Sequence, residues 1–288
     1  MSGPLESLGR RIAVPIGEGS LAFFSYLGAT SLLFWKTLIG LGGLPWGRWV
    51  KNAALPWRWK RLAQDRRWQL VLDQMDKIGV ASLPLVFLTS LFTGVVLALQ
   101  TAYQLQQISA QLYIGSLVAL SMTRELGPVL TALVIAGRVG AAISAEIGTM
   151  RVTEQIDALQ TLSTDPVRYL AAPRLLALLV MLPLLTLYAD LVGMMGGYLV
   201  GVYKLGLGSN LYINMTWDAL RHKDVFTGLF KAAVFGAIIA VIACHEGFEA
   251  SGGAEGVGRS TTFSVVISFI LIIAADCFFT ALFYFVFP

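Results

Sequence analysis

The chain has 288 residues, 56% of them hydrophobic and 13% charged, with a mean hydropathy of +0.72 and a formal net charge of +4. A soluble domain of this size carries about 25% charged residues, so too little polar surface is present to cover a globule. That excludes a soluble enzyme, a disordered protein and a disulfide scaffold, and implies an all-α integral membrane protein.

In chain order, the first 20 residues include Pro4, Pro15 and several charges, and show no compact apolar core of a cleavable signal peptide. Residues 21–44 are apolar with a single Lys36, but Gly28, Gly40, Gly42 and Gly43 break the run and Pro45 follows it. An interfacial elbow helix is the preferred reading here, with a sixth span as the alternative. Residues 45–78 carry eight Lys and Arg interleaved with Trp46, Trp49, Trp57, Trp59 and Trp68, the pattern of an anchor at an anionic leaflet. Residues 1–78 thus form an N-terminal cytoplasmic or interfacial region, and 79–288 a second unit of five spans.

A span needs roughly 20 apolar residues, and five segments supply them: 79–103, 116–147, 171–203, 225–244 and 263–287. They hold only Arg124, Glu125, Arg138, Glu146, Arg174, Asp190, Lys231 and Asp276 of the 38 charged side chains. Strands of a barrel would be about ten residues long and would alternate polar with apolar. The basic 45–78 segment against a 104–115 loop without Lys or Arg places the former in the cytoplasm and the latter outside.

Between the second and third spans, Val152, Ile156 and Leu159 form one apolar stripe, with Arg151, Glu154, Gln155 and Asp157 elsewhere on the same short helix, about 149–160. Such a helix can dock in a groove of a soluble partner or simply rest on the membrane. Asp165 and Pro166 read as the cap and first-turn proline of the third span. Gly193, Gly197 and Gly201 recur every fourth residue, a spacing that lets helix backbones pack closely.

Intramembrane charges usually face a bundle interior or a wet cavity. Arg124 and Glu125 lie about 12 Å below the outer end of the second span, and a regular helix sets Arg138 on the same face as Arg124. They make either a structural polar network or the rim of a substrate cavity. Asp190 and Asp276 are candidates for ion pathways without an evident chain of partners. Gly253 to Ser260 comes within one residue of a phosphate loop, but it stands between membrane helices and has Arg259 at the lysine position, so a flexible glycine-rich loop is expected. His245-Glu246 has Glu249 where a zinc protease needs its second histidine. Cys244 and Cys277 suggest no metal cluster. No catalytic or metal residue is assigned.

The run Arg124-Glu125-Leu126-Gly127-Pro128-Val129, then Ala136-Gly137-Arg138-Val139-Gly140, then Ala145 to Leu159 (AEIGTMRVTEQIDAL) closely resembles the MlaE family of ABC permeases, membrane subunits of lipid transporters. Asp165-Pro166, Leu182 to Thr186 and Gly196 to Gly201 match as well, and the likeness runs from about Gly79 to the end. The resemblance implies an interfacial N-terminal helix, five spans and a homodimer in the inner membrane of a bacterium or, less in keeping with the chain, a chloroplast envelope. It implies cytoplasmic ATPase subunits engaging a coupling helix around Arg151, Glu154, Gln155 and Asp157. ATP and magnesium would be held by those partners, and this chain would hold no cofactor. It also implies a periplasmic MCE-domain carrier and a phospholipid pocket to which the first span, with Leu97 and Leu99, and Arg124 and Glu125 contribute. Nucleic acid is not an expected partner. The competing readings are a proton-coupled secondary transporter using Glu125, Asp190 or Asp276, and a non-transporting scaffold.

Overall fold

The computed structural model describes residues 25–26, 28–37 and 66–286. Among these the chain is helical, with five helical runs long and apolar enough to cross a membrane: Trp68–Gln106, Gln111–Val152, Val167–Lys204, His222–Phe248 and Gly253–Phe285. Each exceeds the segment expected from hydropathy, because polar helical turns continue past the apolar stretch.

The first run joins α1 (Arg66–Ile78) through a tight 3₁₀ turn, Val80–Ser82, to α2 (Leu83–Gln106). Trp68, Val71, Met75 and Ile78 recur on one face of α1 and pack into the main core. On α2, Val86, Ser90, Gly94, Ala98 and Ala102 come every fourth residue and are buried, while Leu85, Leu88, Phe92, Val96, Leu99 and Tyr103 form the exposed stripe opposite. The small face permits close approach to the third run: a Cβ on Gly94 would overlap the carbonyl of Gly193, and one on Gly196 would stand 2.5 Å from the Leu91 oxygen.

The second run is not one regular helix. It comprises α3 (Ile114–Ser121), a wide π turn at Met122–Leu126, α4 (Gly127–Ile135), a second π turn at Ala136–Gly140, and α5 (Ala141–Val152). After it, Glu154 adopts a left-handed backbone with φ of 60° and α6 (Gln155–Thr161) sets off in a new direction. The helix expected at 149–160 is thus the end of α5 plus α6, broken where Thr153 and Glu154 leave the right-handed helix.

The third run starts with a π turn, Val167–Ala171, continues as α7 (Ala172–Leu199) and ends in another π turn, Val200–Lys204. The Asp165 carboxylate accepts the Val167 amide at 3.0 Å, satisfying one of the orphan donors at a helix start. α7 is the central helix, packed against α1, α2, α4 and the helix His222–Phe248 (α9). Pro183 in its interior deprives the Leu179 carbonyl of its helical donor. Beside that irregular stretch Gly236 brings α9 close, with the Leu178 oxygen 2.7 Å from where a Cβ would be.

At the end opposite α6, α8 (Ser209–Ala219) lies on α3 and seats Tyr212 over Gly201. Burial pushes the Tyr212 hydroxyl up to about 12, so the phenol stays neutral at physiological pH. α9 (His222–Phe248) and α10 (Gly253–Val286) form the last two spans. The expected loop at 253–260 is instead the first two turns of α10. The reversal between spans is made by Gly252 and Gly253, whose φ values of 90° and 73° are accessible to glycine at little cost.

Of residues 21–44, the part at 28–37 is helical, and Leu33 and Phe34 pack on the core. The Tyr26 hydroxyl donates to Glu246 at 2.8 Å, tying this segment to the α6 end of α9. Residues 21–24, 27 and 38–65, which hold the rest of the segment and most of the tryptophan-rich stretch, lie outside the described residues.

Candidate functional site

The π turn at Met122–Leu126 directs two successive charged side chains, Arg124 and Glu125, towards α9 and α10. Each residue inserted into a wide turn displaces the helical phase by about 100°. For that reason Arg124 and Arg138 do not share a face, contrary to the regular-helix expectation. Arg124 bonds Asp224 on α9 (Nε to Oδ1, 2.8 Å), whereas Arg138 donates to Ser82 Oγ ahead of α2.

Lys231, on α9, is 2% exposed. Its ammonium stands 3.0 Å from Glu125 Oε2, 2.9 Å from Asp276 Oδ1, 2.7 Å from Thr280 Oγ1 and 3.2 Å from the Arg124 carbonyl. Thr280 passes its own proton to Glu125 at 3.0 Å. Two carboxylates and one ammonium are thereby joined across three spans. Asp224 completes the outer edge: one oxygen takes Arg124 and the other the Arg221 amide at 3.2 Å.

All of these groups except Asp276 border a cavity of about 560 Å³ between the second, fourth and fifth spans, within the usual range for a ligand site. Its wall carries Phe226, Phe230, Phe283 and Tyr284, with Phe230 edge-on to Phe279 and Phe283 at 5.6 and 6.2 Å. Arg124, Arg221 and Lys223 stand at its charged end. Arg124 uses only its Nε, so its remaining guanidinium donors are open to a ligand among the described residues. Arg124, Arg221 and Lys223 outnumber the one carboxylate beside them, Asp224, and the walls are aromatic, an arrangement suited to an amphiphile with an anionic head.

Of the pocket candidates, Arg124 and Glu125 border this cavity. Leu97 packs instead against the buried cluster that includes Ile114, Val118, Met122 and Tyr212, and Leu99 is 45% exposed on the outer stripe of α2. Sequence reasoning did not join Lys231, Asp224 and Thr280 to Arg124 and Glu125, nor Asp276 to a partner. The rarity of charge within spans marks Lys231 and Asp276, whereas Asp224 falls just outside the 225–244 segment and Thr280 is uncharged, so neither carries that signal.

Asp190 is buried on α7 against the Cα of Gly127, and its Oδ1 has no partner among the described residues. At the α6 corner, Arg151 pairs with Asp157 at 2.8 Å and Gln155 donates to Thr153 at 3.1 Å. Ile156 is buried and the Glu154 side chain is exposed. On α7, a Cβ on Gly193 would overlap Met122 Cε, one on Gly197 would meet Val118 at 2.8 Å and the Tyr212 hydroxyl at 2.9 Å, and one on Gly201 the Tyr212 ring at 2.6 Å.

Residues 71–282 match the family described as Permease MlaE. The chain is 52% identical over 215 residues to a probable ABC transporter permease protein of Rickettsia prowazekii, covering 75% of this chain and 83% of that one. It is 46% identical over 207 residues to a probable ABC transporter permease protein of Synechocystis, covering 72% and 79%. It is also 41% identical over 217 residues to the chloroplastic protein TRIGALACTOSYLDIACYLGLYCEROL 1 of Arabidopsis thaliana, covering 75% and 62%.

Proposed function

The chain belongs to the MlaE permease family, and from that premise we propose that it is the membrane subunit of an ABC-type lipid transporter, moving phospholipid between the inner membrane and a periplasmic MCE-domain carrier. The observation that carries the lipid reading is the cavity, which combines free guanidinium donors and two further cations with an aromatic wall. A lipid phosphate fits the first, and acyl chains fit the second. One relative's name, which contains the glycerolipid trigalactosyldiacylglycerol, points the same way.

In this reading two copies of the chain assemble, and separate ATPase subunits hold ATP and magnesium. The α6 corner, with Arg151, Glu154, Gln155 and Asp157, meets the ATPase at the cytoplasmic surface, and the cavity opens near the periplasmic one. The Glu125–Lys231–Asp276 cluster is also what a proton-driven carrier would use, but membership in an ABC permease family favours ATP as the energy source.

The test is gentle extraction of the tagged full-length chain, with its retained proteins and lipids identified by mass spectrometry. An ATPase and roughly stoichiometric phospholipid are expected. Transport in vesicles that follows a proton gradient without any ATPase would overturn the proposal.

A further inference from the structure

Four arginine or lysine side chains lie within the apolar stretches of the spans, and three have carboxylate partners: Arg124 with Asp224, Arg174 with Glu146, and Lys231 with Glu125 and Asp276. Arg138 has none among the described residues. It uses one of its five N–H donors, on Ser82 Oγ, and that hydroxyl gives its own proton to the Ile78 carbonyl at 2.5 Å. An unpaired guanidinium against lipid is costly, and such residues normally find a counterion or mark a functional site.

The space around Arg138 is not filled by protein. A shallow, open groove of about 470 Å³ lies there, lined by Leu85, Leu133, Val134, Gly137 and Phe269 as well as Arg138. Gly137 forms part of it by lacking a side chain: the nearest heavy atom to where its Cβ would stand is Phe269 Cζ, 3.9 Å away. The groove runs between the first and fifth spans. Ser82 fixes its level, since it immediately precedes α2, whose 24 residues extend about 36 Å to the far end. Arg138 therefore sits near the membrane surface of the α6 end, across the bilayer from the outer end of the cavity at Arg221.

We propose that this groove is a second lipid site, holding a phospholipid of the leaflet at the α6 end with its phosphate on Arg138 and an acyl chain along Leu133, Val134 and Phe269. Charge complementarity singles out this occupant. The guanidinium fork offers paired donors to a phosphate, and the rest of the lining is apolar. A neutral diacylglycerol leaves the cation unpaired. The site concerns a lipid held at rest and does not depend on the transport reading.

The full-length protein, with whatever subunits accompany it, is placed in nanodiscs of palmitoyl-oleoyl phosphatidylglycerol containing a trace of the same lipid with a benzophenone on one chain. Illumination is expected to label a peptide containing residues 133–138 or Phe269 in the wild type, apart from any label on cavity peptides around Phe283. In Arg138→Gln this label is expected to fall about tenfold, as loss of a charged hydrogen bond predicts. Gly137→Leu, which fills the groove and keeps the charge, is expected to abolish it, and a benzophenone diacylglycerol is expected not to give it. Absence of the groove label in the wild type, equal labelling by diacylglycerol, or a groove closed by a second copy (a Phe269→Cys disulfide dimer that excludes lipid) would each overturn the proposal. The wild-type and diacylglycerol arms decide it even if a variant fails to fold. Label on the cavity alone would overturn the second site and leave the transport reading intact.

Discussion

Lys231 holds together two carboxylates that would otherwise face each other inside the membrane. Removing one member of a buried ionic group leaves uncompensated charge and costs about 3–5 kcal/mol, whereas neutralising the whole group is far less damaging. Lys231→Met is accordingly expected to lower the midpoint of thermal unfolding in detergent. The triple variant Lys231→Met, Glu125→Gln, Asp276→Asn is expected to recover most of that loss. An equal loss in both would show that the ammonium acts by packing, not by charge. This cluster was only partly legible in the sequence. The rarity of charge in spans flagged Glu125 and Asp276, but their common partner lies 106 and 45 residues away. A regular 100° step per residue also misplaces Arg124 relative to Arg138, because π turns leave no simple compositional mark.

At the level of elements, the spans were legible because burial in lipid requires about 20 apolar residues in a row, a signal that survives any packing detail. The corner between α5 and α6 was less so. Residues 149–160 read as one helix by periodicity, yet Glu154 is left-handed, with φ of 60°, a conformation that costs a non-glycine residue roughly 1–2 kcal/mol. That cost is kept where a glycine would remove it, and this separates two roles for the residue. Glu154→Gly should stabilise the fold by about 1 kcal/mol by relieving the strain. If the carboxylate contacts the ATPase, as proposed, Glu154→Gly and Glu154→Lys both lose ATPase capture in a pull-down, the lysine variant more completely because it adds repulsion. Capture at the wild-type level by Glu154→Lys would remove this side chain from the coupling contact. The turn at Gly252 and Gly253 was misread for a related reason: the glycines mark the reversal itself, and the helix resumes within the glycine-rich run.

At the scale of the whole molecule, the five runs place two sets of turns at opposite ends, with α6 and the Glu249–Gly252 turn at one end and residues 107–113 and α8 at the other. Charge assigns the ends. Among the described residues, the α6 end has Arg66, Arg67, Lys77, Arg151, Arg168 and Arg259, while the α8 end has Lys204, Arg221 and Lys223. Positive residues stay in the cytoplasm, so the α6 end is expected inside, where an ATPase is found, and the cavity is expected to open outwards. Gln107 and Ser163 are exposed and lie at the two ends, which makes them reporters of orientation. In a background with Cys277, the exposed native cysteine, changed to serine, a cysteine at Gln107 should react with a membrane-impermeant maleimide added to intact cells. One at Ser163 should react only after permeabilisation. The reverse pattern would turn the molecule over. The α6 corner would then face away from ATP, and coupling through Glu154 would fail together with the outward opening of the cavity, whereas the groove at Arg138 would persist with its lipid drawn from the opposite leaflet.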